Sequence, residues 1–255
     1  MLAIERRHHI LNHLQENRRV LVADLAQEFS VSEETVRRDL DKLEQDGYVV
    51  KTYGGAFLKE ESNVELPYFV RKKKNVVAKQ LIAEQAATIV DDNDSVFLDG
   101  SSTALFIAKK LKGKKNLTVI TNSVEVLVEL VDAPDWKVIS TGGTMKSGSF
   151  SLVGGRAEST ARDFRVDKMF FSAKGVDQKG GITDADDENS AVKRVVAQSA
   201  KKVYLSVDTS KFGKVNFAKI TDFSMVDGVI CETKPSSDWL EFFTQNHITC
   251  LYPEA

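Results

Sequence analysis

The chain has 255 residues, 42% hydrophobic and 28% charged, and its 35 basic and 37 acidic side chains leave a formal charge of −2. That length and apolar content exclude a disordered, collagen-like or low-complexity protein and lead one to expect two folded domains. No apolar run approaches the ~20 residues that span a bilayer, so no membrane segment is expected. The N-terminal run Met1-Leu-Ala-Ile-Glu-Arg-Arg-His-His puts charges where a signal peptide needs its apolar core. With only Cys231 and Cys250, and no CxxC spacing, a disulfide framework and a structural zinc site are excluded and a cytoplasmic location is expected.

Residues 1–47 repeat apolar side chains only at helical spacing. Leu11 and Leu14 mark a first helix, Val22, Leu25, Ala26 and Phe29 a second, and Val36, Leu40 and Leu43 a third. Ser32 stands as the N-cap of the third, Glu33 and Glu34 suit its dipole, and Gly47 ends it. Tyr48 to Phe57 reads as two short strands with Gly54-Gly55 as turn or bulge. Three short helices and a hairpin make a winged helix-turn-helix pattern over residues 1–57. Residues 58–75 carry charge runs, Lys59-Glu-Glu-Ser-Asn-Val-Glu and Arg71-Lys-Lys-Lys74, without a sustained period, and read as a linker.

From residue 76 to 255 short β-rich runs alternate with amphipathic helices. Strands are expected at Val96–Leu98, Thr118–Ile120, Lys137–Ser140, Lys168–Phe171, Val203–Val207, Val229–Cys231 and Ile248–Leu251, and helices near 76–90, 103–112, 123–132, 188–200 and 237–245. This alternation predicts an α/β domain with a mostly parallel sheet covered on both faces.

On the third helix the apolar positions turn inward and leave Thr35, Arg37, Arg38 and Lys42 for solvent or a major groove, where Arg bonds guanine edges or phosphates and Thr meets a thymine methyl. Arg18, Arg19 and Lys51 can add phosphate contacts. The same residues also suit a solvated face: residues 1–57 hold eight basic against ten acidic side chains, so this is no general polyanion binder. The runs Arg6-x3-Ile10-x3-Leu14 and Ser32-x2-Thr35-Val36-Arg37-Arg38-Asp39-Leu40, with Lys51-Thr-Tyr-Gly-Gly-Ala56 as wing, resemble the DeoR family of bacterial transcriptional regulators. The resemblance implies a repressor of a carbohydrate-utilisation operon that binds double-stranded operator DNA. Ser32, Thr35, Arg37 and Arg38 fall in the recognition motif, with Thr35 and the two arginines at the DNA and Asp39 orienting an arginine or bracing the domain.

In the second domain polar, Gly-rich segments follow predicted strands: Asp99-Gly100-Ser101-Ser102-Thr103, Thr121-Asn122-Ser123, Thr141-Gly142-Gly143-Thr144, Ala173-Lys174-Gly175-Val-Asp177 and Asp208-Thr-Ser-Lys211. The carboxyl ends of open parallel sheets border ligand crevices, and the Gly100–Thr103 turn at a helix N-terminus suits a phosphate. Lys174, Lys193 and Lys211 can add charge; Asp99, Asp177 and Asp208 can accept sugar hydroxyls. Each turn alone also reads as a simple helix cap. The loop order resembles the DeoR effector domain, which is similar in fold to pentose-phosphate isomerases; the resemblance implies a phosphorylated sugar in the crevice.

The rival reading is a sugar-phosphate isomerase with an attached helix-turn-helix. Those enzymes carry Asp-Gly-Ala-Asp where this chain has Lys174-Gly-Val-Asp177, and a catalytic Glu at a position that counts to Lys193, with Glu188 a few residues off. A protonated lysine cannot serve as that base without a large pKa shift, so no enzymatic activity is expected. An architectural DNA-binding protein whose α/β domain only oligomerises is a second alternative. His9 and His13 stand four apart on the first helix, but two ligands do not hold an ion, so no metal or cofactor is expected. Pairing of half-sites leads one to expect a dimer or tetramer.

Overall fold

The computed structural model describes residues 1–59 and 66–254, which form two compact units, Met1–Lys74 and Asn75–Ala255. In the first, α1 (Ala3–Asn17) is followed by β1 (Arg19–Leu21), α2 (Val22–Phe29), α3 (Glu33–Gln45), β2 (Val49–Thr52), β3 (Gly55–Leu58) and α4 (Tyr68–Lys73). The expected periodic residues build its core: Leu11 and Leu14 of α1, Val22 and Leu25 of α2, and Val36, Leu40 and Leu43 of α3 are all buried. The strands form a small antiparallel sheet in the order β1-β3-β2. Of its strands only β1 has no counterpart in the sequence pattern, being three residues long with too little alternation to register.

The stretch 58–75 does not behave as a uniform linker. Residues 60–65 lie outside the described residues, but Tyr68 and Val70 of α4 are buried, and Leu66 and Val70 belong to the core of the first unit. The short apolar run Leu66-Pro-Tyr-Phe-Val70 between charge runs is too brief to show a period, yet enough to anchor a six-residue helix.

The second unit runs α5 (Val76–Thr88), β4 (Ser95–Leu98), α6 (Ser102–Leu111), β5 (Thr118–Thr121), α7 (Val124–Glu129), β6 (Lys137–Ser140), β7 (Thr144–Lys146), β8 (Ser151–Val153), α8 (Gly155–Arg162), β9 (Lys168–Phe171), β10 (Gly175–Asp177), β11 (Gly181–Asp184), α9 (Asp187–Ala197), β12 (Lys202–Ser206), β13 (Ala218–Thr221), β14 (Gly228–Ile230), α10 (Ser237–Gln245) and β15 (Thr249–Leu251). Seven strands make one sheet, β15-β14-β12-β9-β4-β5-β6, and every neighbouring pair in it is parallel. Alternate residues serve opposite faces. Val96, Leu98 and Phe170 join a core with α5, α6 and α7, whereas Phe97, Met169 and Phe171 join one with α8, α9 and α10. Helices thus cover both faces. A β7–β8 hairpin and a three-stranded antiparallel sheet, β10-β11-β13, sit beside the main sheet. Their three- and four-residue strands left no pattern in the sequence. Among the described residues no helix is long and apolar enough to cross a membrane.

Candidate functional site

On the first unit the surface of interest is α3. Val36, Asp39, Leu40 and Leu43 turn inward, so Arg37 and Arg38 must turn out. Arg37 reaches Glu33 at 3.0 Å, Arg38 reaches Glu34 at 3.3 Å, and Lys42 reaches Asp46 at 2.9 Å, all one helical turn away and exposed. Such surface pairs contribute about 0–1 kcal/mol, so a phosphate or a guanine edge can displace the carboxylate. Ser32 caps α3 by accepting the Thr35 amide at 3.2 Å, and its hydroxyl lies 2.9 Å from that of the half-buried Thr35. Behind this face the buried Asp39 takes Arg6 and, at 3.5 Å, Arg7, which braces α3 against α1.

The residues grouped as phosphate contacts are not one set. Lys51 of β2 is bonded through its ammonium to Asp41 of α3, and its amide donates to Glu44 at 2.9 Å, so it ties the hairpin to the helix. Arg18 and Arg19 stand at β1, the opposite edge of the sheet from β2. The sequence reading also passed over Tyr53, fully exposed at the tip of the β2–β3 hairpin.

In the second unit the five singled-out loops leave the carboxyl ends of β12, β9, β4, β5 and β6, five consecutive strands of the parallel sheet. They line one edge. The Gly100 turn is held by Asp99 Oδ1, which accepts the Ser101 amide at 3.1 Å, while Ser101 Oγ caps α6 by accepting the Ala104 amide at 3.1 Å. Ser102 and Thr103 form the first turn of α6, at the positive end of its dipole. Thr121 accepts the Ser123 amide at 3.0 Å, and Ser123 caps α7. Gly142 and Gly143 both take positive φ, and a Cβ on Gly143 would lie 2.6 Å from the Val153 carbonyl. That glycine pair serves a close approach to β8.

Two assignments change on this geometry. Lys193 was read as a charge offered to a ligand and Asp99 as a hydroxyl acceptor. Asp99 is wholly buried, and its Oδ2 accepts the Ser172 amide at 3.0 Å. Lys193 Nζ stands 2.6 Å from Asp184, 3.2 Å from Asp99 and 2.8 Å from the Ser172 carbonyl, which engages all three N–H bonds of an ammonium. The cluster locks the β4 loop, the β9 loop, β11 and α9 together. Burial pushes the Asp184 carboxyl up, but the Lys193 charge and hydrogen bond, helped by Lys174, outweigh it and hold the group below its ordinary value. The other acidic residues also brace turns. Asp177 accepts the Lys179 and Gly180 amides at 3.0 and 2.7 Å, at the far end of the β10–β11 hairpin from Lys174 and Gly175. Asp208 accepts the Ser210 amide at 3.2 Å and its hydroxyl; burial raises this carboxyl, and Lys211, Ser210 and Asn75 bring it below its usual range.

The sequence reading missed the contribution of the β7–β8 hairpin and of the run Asp184 to Asn189. Lys146 of β7 meets Asp186 and Glu188 at 2.6 Å each. Burial pulls this ammonium down, and its two carboxylates more than restore it. The hairpin also joins the β5 loop, through Leu152 amide to Asn122 carbonyl at 2.7 Å and Asn122 Nδ2 to Leu152 carbonyl at 3.1 Å. The one signal was acidic density: Gly180-Gly181 followed by four acids and an Asn within eight residues.

Residues 74–233 match the DeoR C terminal sensor domain and residues 6–62 the DeoR-like helix-turn-helix domain. The chain belongs to the DeoR family. Similar relatives in this family of transcriptional regulators include the HTH-type transcriptional regulator GolR of Listeria innocua serovar 6a, 36% identical over 92% of each chain. The glycerol-3-phosphate regulon repressor of Escherichia coli K12 is 29% identical over 97% of this chain and 98% of its own. The L-fucose operon activator of Haemophilus influenzae is 30% identical over 93% and 95%. A ribose 5-phosphate isomerase A structure from Methanocaldococcus jannaschii is 17% identical, covers 52% of this chain and 53% of its own, and gives a TM-score of 0.39, a likeness too distant to inform the chemistry of this DeoR-family regulator.

Proposed function

We propose that this regulator is a cytoplasmic repressor of a carbohydrate-utilisation operon, released from its double-stranded operator when a phosphorylated sugar enters the crevice of the second unit. The observation that carries the reading is the convergence of five loops on one sheet edge around the α6 N-terminus. Phosphate suits that turn because its amides and helix dipole point at an anion; the α3 face, with Arg37, Arg38 and Lys42, suits the major groove, with Tyr53 at the tip of the wing. A dimer or tetramer would place two such helices on paired half-sites.

Neither position counted for the isomerase base favours that alternative. Lys193 is a saturated cation, and Glu188 lies exposed against Lys146. The linkage is thermodynamic: an effector that favours one state lowers operator affinity by a coupling of about 1–3 kcal/mol, roughly 5–150-fold.

The test is an operator mobility shift with the full-length chain, titrated with a panel of sugar phosphates. At least one is expected to release the DNA and to raise the melting midpoint of the protein. A panel that does neither overturns the effector reading, and release by non-phosphorylated sugars alone overturns the phosphate.

A further inference from the structure

Two buried side chains facing the Gly100 turn lack hydrogen-bond partners at one atom each: Asn122 Oδ1 and Asn189 Oδ1. Asn122 follows β5 and is 2% exposed; Asn189 sits in the first turn of α9 and is 7% exposed. Their orientation is fixed by the other end of each amide. Asn122 Nδ2 donates to the Leu152 carbonyl at 3.1 Å, and Asn189 Nδ2 donates to the Asp186 carboxylate. Neither could turn over without setting oxygen against oxygen, so in both the carbonyl oxygen is the atom left over.

Both amides converge on one spot. A Cβ built on Gly100 would lie 3.5 Å from Asn189 Oδ1 and 3.6 Å from Asn122 Nδ2. The same Cβ would come within 2.7 Å of Ser151 Cβ, so the β7–β8 hairpin forms the third wall. Both asparagines are tied to that hairpin, Asn122 directly and Asn189 through Asp186, which also bonds Lys146. Each amide keeps one carbonyl oxygen that no protein donor fills, and a hydroxyl group can supply the missing hydrogen.

We infer that Asn122 Oδ1 and Asn189 Oδ1 are the specificity-determining acceptors of the crevice, each taking a hydroxyl hydrogen from the polyol part of a ligand whose phosphate lies at the Gly100–Thr103 turn. This rests on the phosphorylated-sugar reading and adds what that reading leaves open: the site selects by hydroxyl donors at two fixed points, so a phosphate ester without them is a poor effector. Asp99 does not do this work: it is wholly buried, its Oδ1 accepts the Ser101 amide, and its Oδ2 accepts the Ser172 amide and faces Lys193.

Calorimetric titration of the full-length chain tests the assignment with inorganic phosphate, with a panel of aldose, ketose and polyol phosphates, and with single-deoxy analogues of the tightest member. The titrations are repeated on Asn122→Ala and Asn189→Ala. Each substitution is expected to weaken the sugar phosphate by about tenfold or more, the worth of one hydrogen bond to a buried acceptor, and to leave inorganic phosphate within about twofold. A deoxy analogue lacking the hydroxyl read by an asparagine should bind the wild type about tenfold more weakly and lose nothing further on that variant. Should a variant fail to fold, the deoxy series on the wild type carries the test alone. Equal weakening of phosphate and sugar phosphate, or an unchanged sugar phosphate because a buried water satisfies both oxygens, overturns the assignment while the crevice reading stands. If no phosphate compound binds, the crevice reading itself fails and takes this one with it.

Discussion

The two units use charge in opposite ways. On α3 the arginines sit in solvent, each paired one turn away with a glutamate that water already screens. In the crevice unit Lys193, Asp99 and Asp184 are shut from water and bonded to one another and to backbone. An exposed pair costs little to break, so its cation is available to a new anion. A buried cluster cannot be opened without stranding a charge, so it fixes loops and offers nothing outward. In the proposed function, recognition therefore falls to charged side chains in the first unit, and in the second to backbone, hydroxyls and neutral amides held in place by charges behind them.

The comparison breaks most visibly at Lys193. Lys193→Met should cost about 3–5 kcal/mol, because the buried Asp99 and Asp184 both lose the ammonium they share; denaturant unfolding followed by circular dichroism reads it. A loss under about 1 kcal/mol, the size expected for an exposed pair, would mean the cluster is no lock. Arg37→Ala and Arg38→Ala should leave stability within about 0.5 kcal/mol and weaken operator binding by roughly 1–3 kcal/mol each where the guanidinium reads a base. Unaltered mobility shifts in both variants would remove α3 from the DNA. Gly100→Ala should lower sugar-phosphate affinity by about tenfold, near 1.4 kcal/mol, since its methyl would come within 2.7 Å of Ser151 Cβ and force the turn or the hairpin to shift; calorimetry decides.

Acid gives the smallest and most graded contrast. Burial, with the charges of Arg7, His9 and Lys73, holds His8 below its ordinary 6.5. Its contribution to folding is complete above pH 6.5 and fades as pH falls through the lower folded value. Asp184 and Asp208 are held below 3.8, so the stability they supply persists above that pH and is lost only as pH falls through their lower folded values. Amide exchange on the full chain should show protection in α1 declining first on acidification, and protection in β4 and β9 holding until below about pH 4. The reverse order would contradict both assignments.

Much of the fold was legible because its signals are local. The strands Lys137–Ser140 and Lys168–Phe171 were read residue for residue, since an apolar run bounded by polar turns needs no knowledge of its neighbours. Helix α10 was equally plain. By contrast β7, β8 and β10 are three residues each and mix polar with apolar positions, without the apolar run that marks the equally short β14. At the site the loops were visible but the roles inside them were not. Asp99 reads as an acceptor until its distance to Ser172, 73 residues on, shows it engaged. Lys51 reads as a phosphate contact, but nothing along the chain shows that β2 lies against α3 and pairs its ammonium with Asp41.

By itself the amino-acid order determined the winged helix-turn-helix, the alternating α/β domain, the family and the five loops that follow strands, all properties written in spacing along the chain. Tertiary structure alone decided which polar groups were already satisfied. It set Lys193 between Asp184 and Asp99 and brought the β7–β8 hairpin against α9. It also brought the amides of Asn122 and Asn189 beside Gly100 and left the oxygen of each without a donor. The reason is that a hydrogen bond saturates: a side chain's chemistry depends on which atoms remain unbonded, and residues as far apart as Asp99 and Lys193 fix that only when the sheet order makes them neighbours.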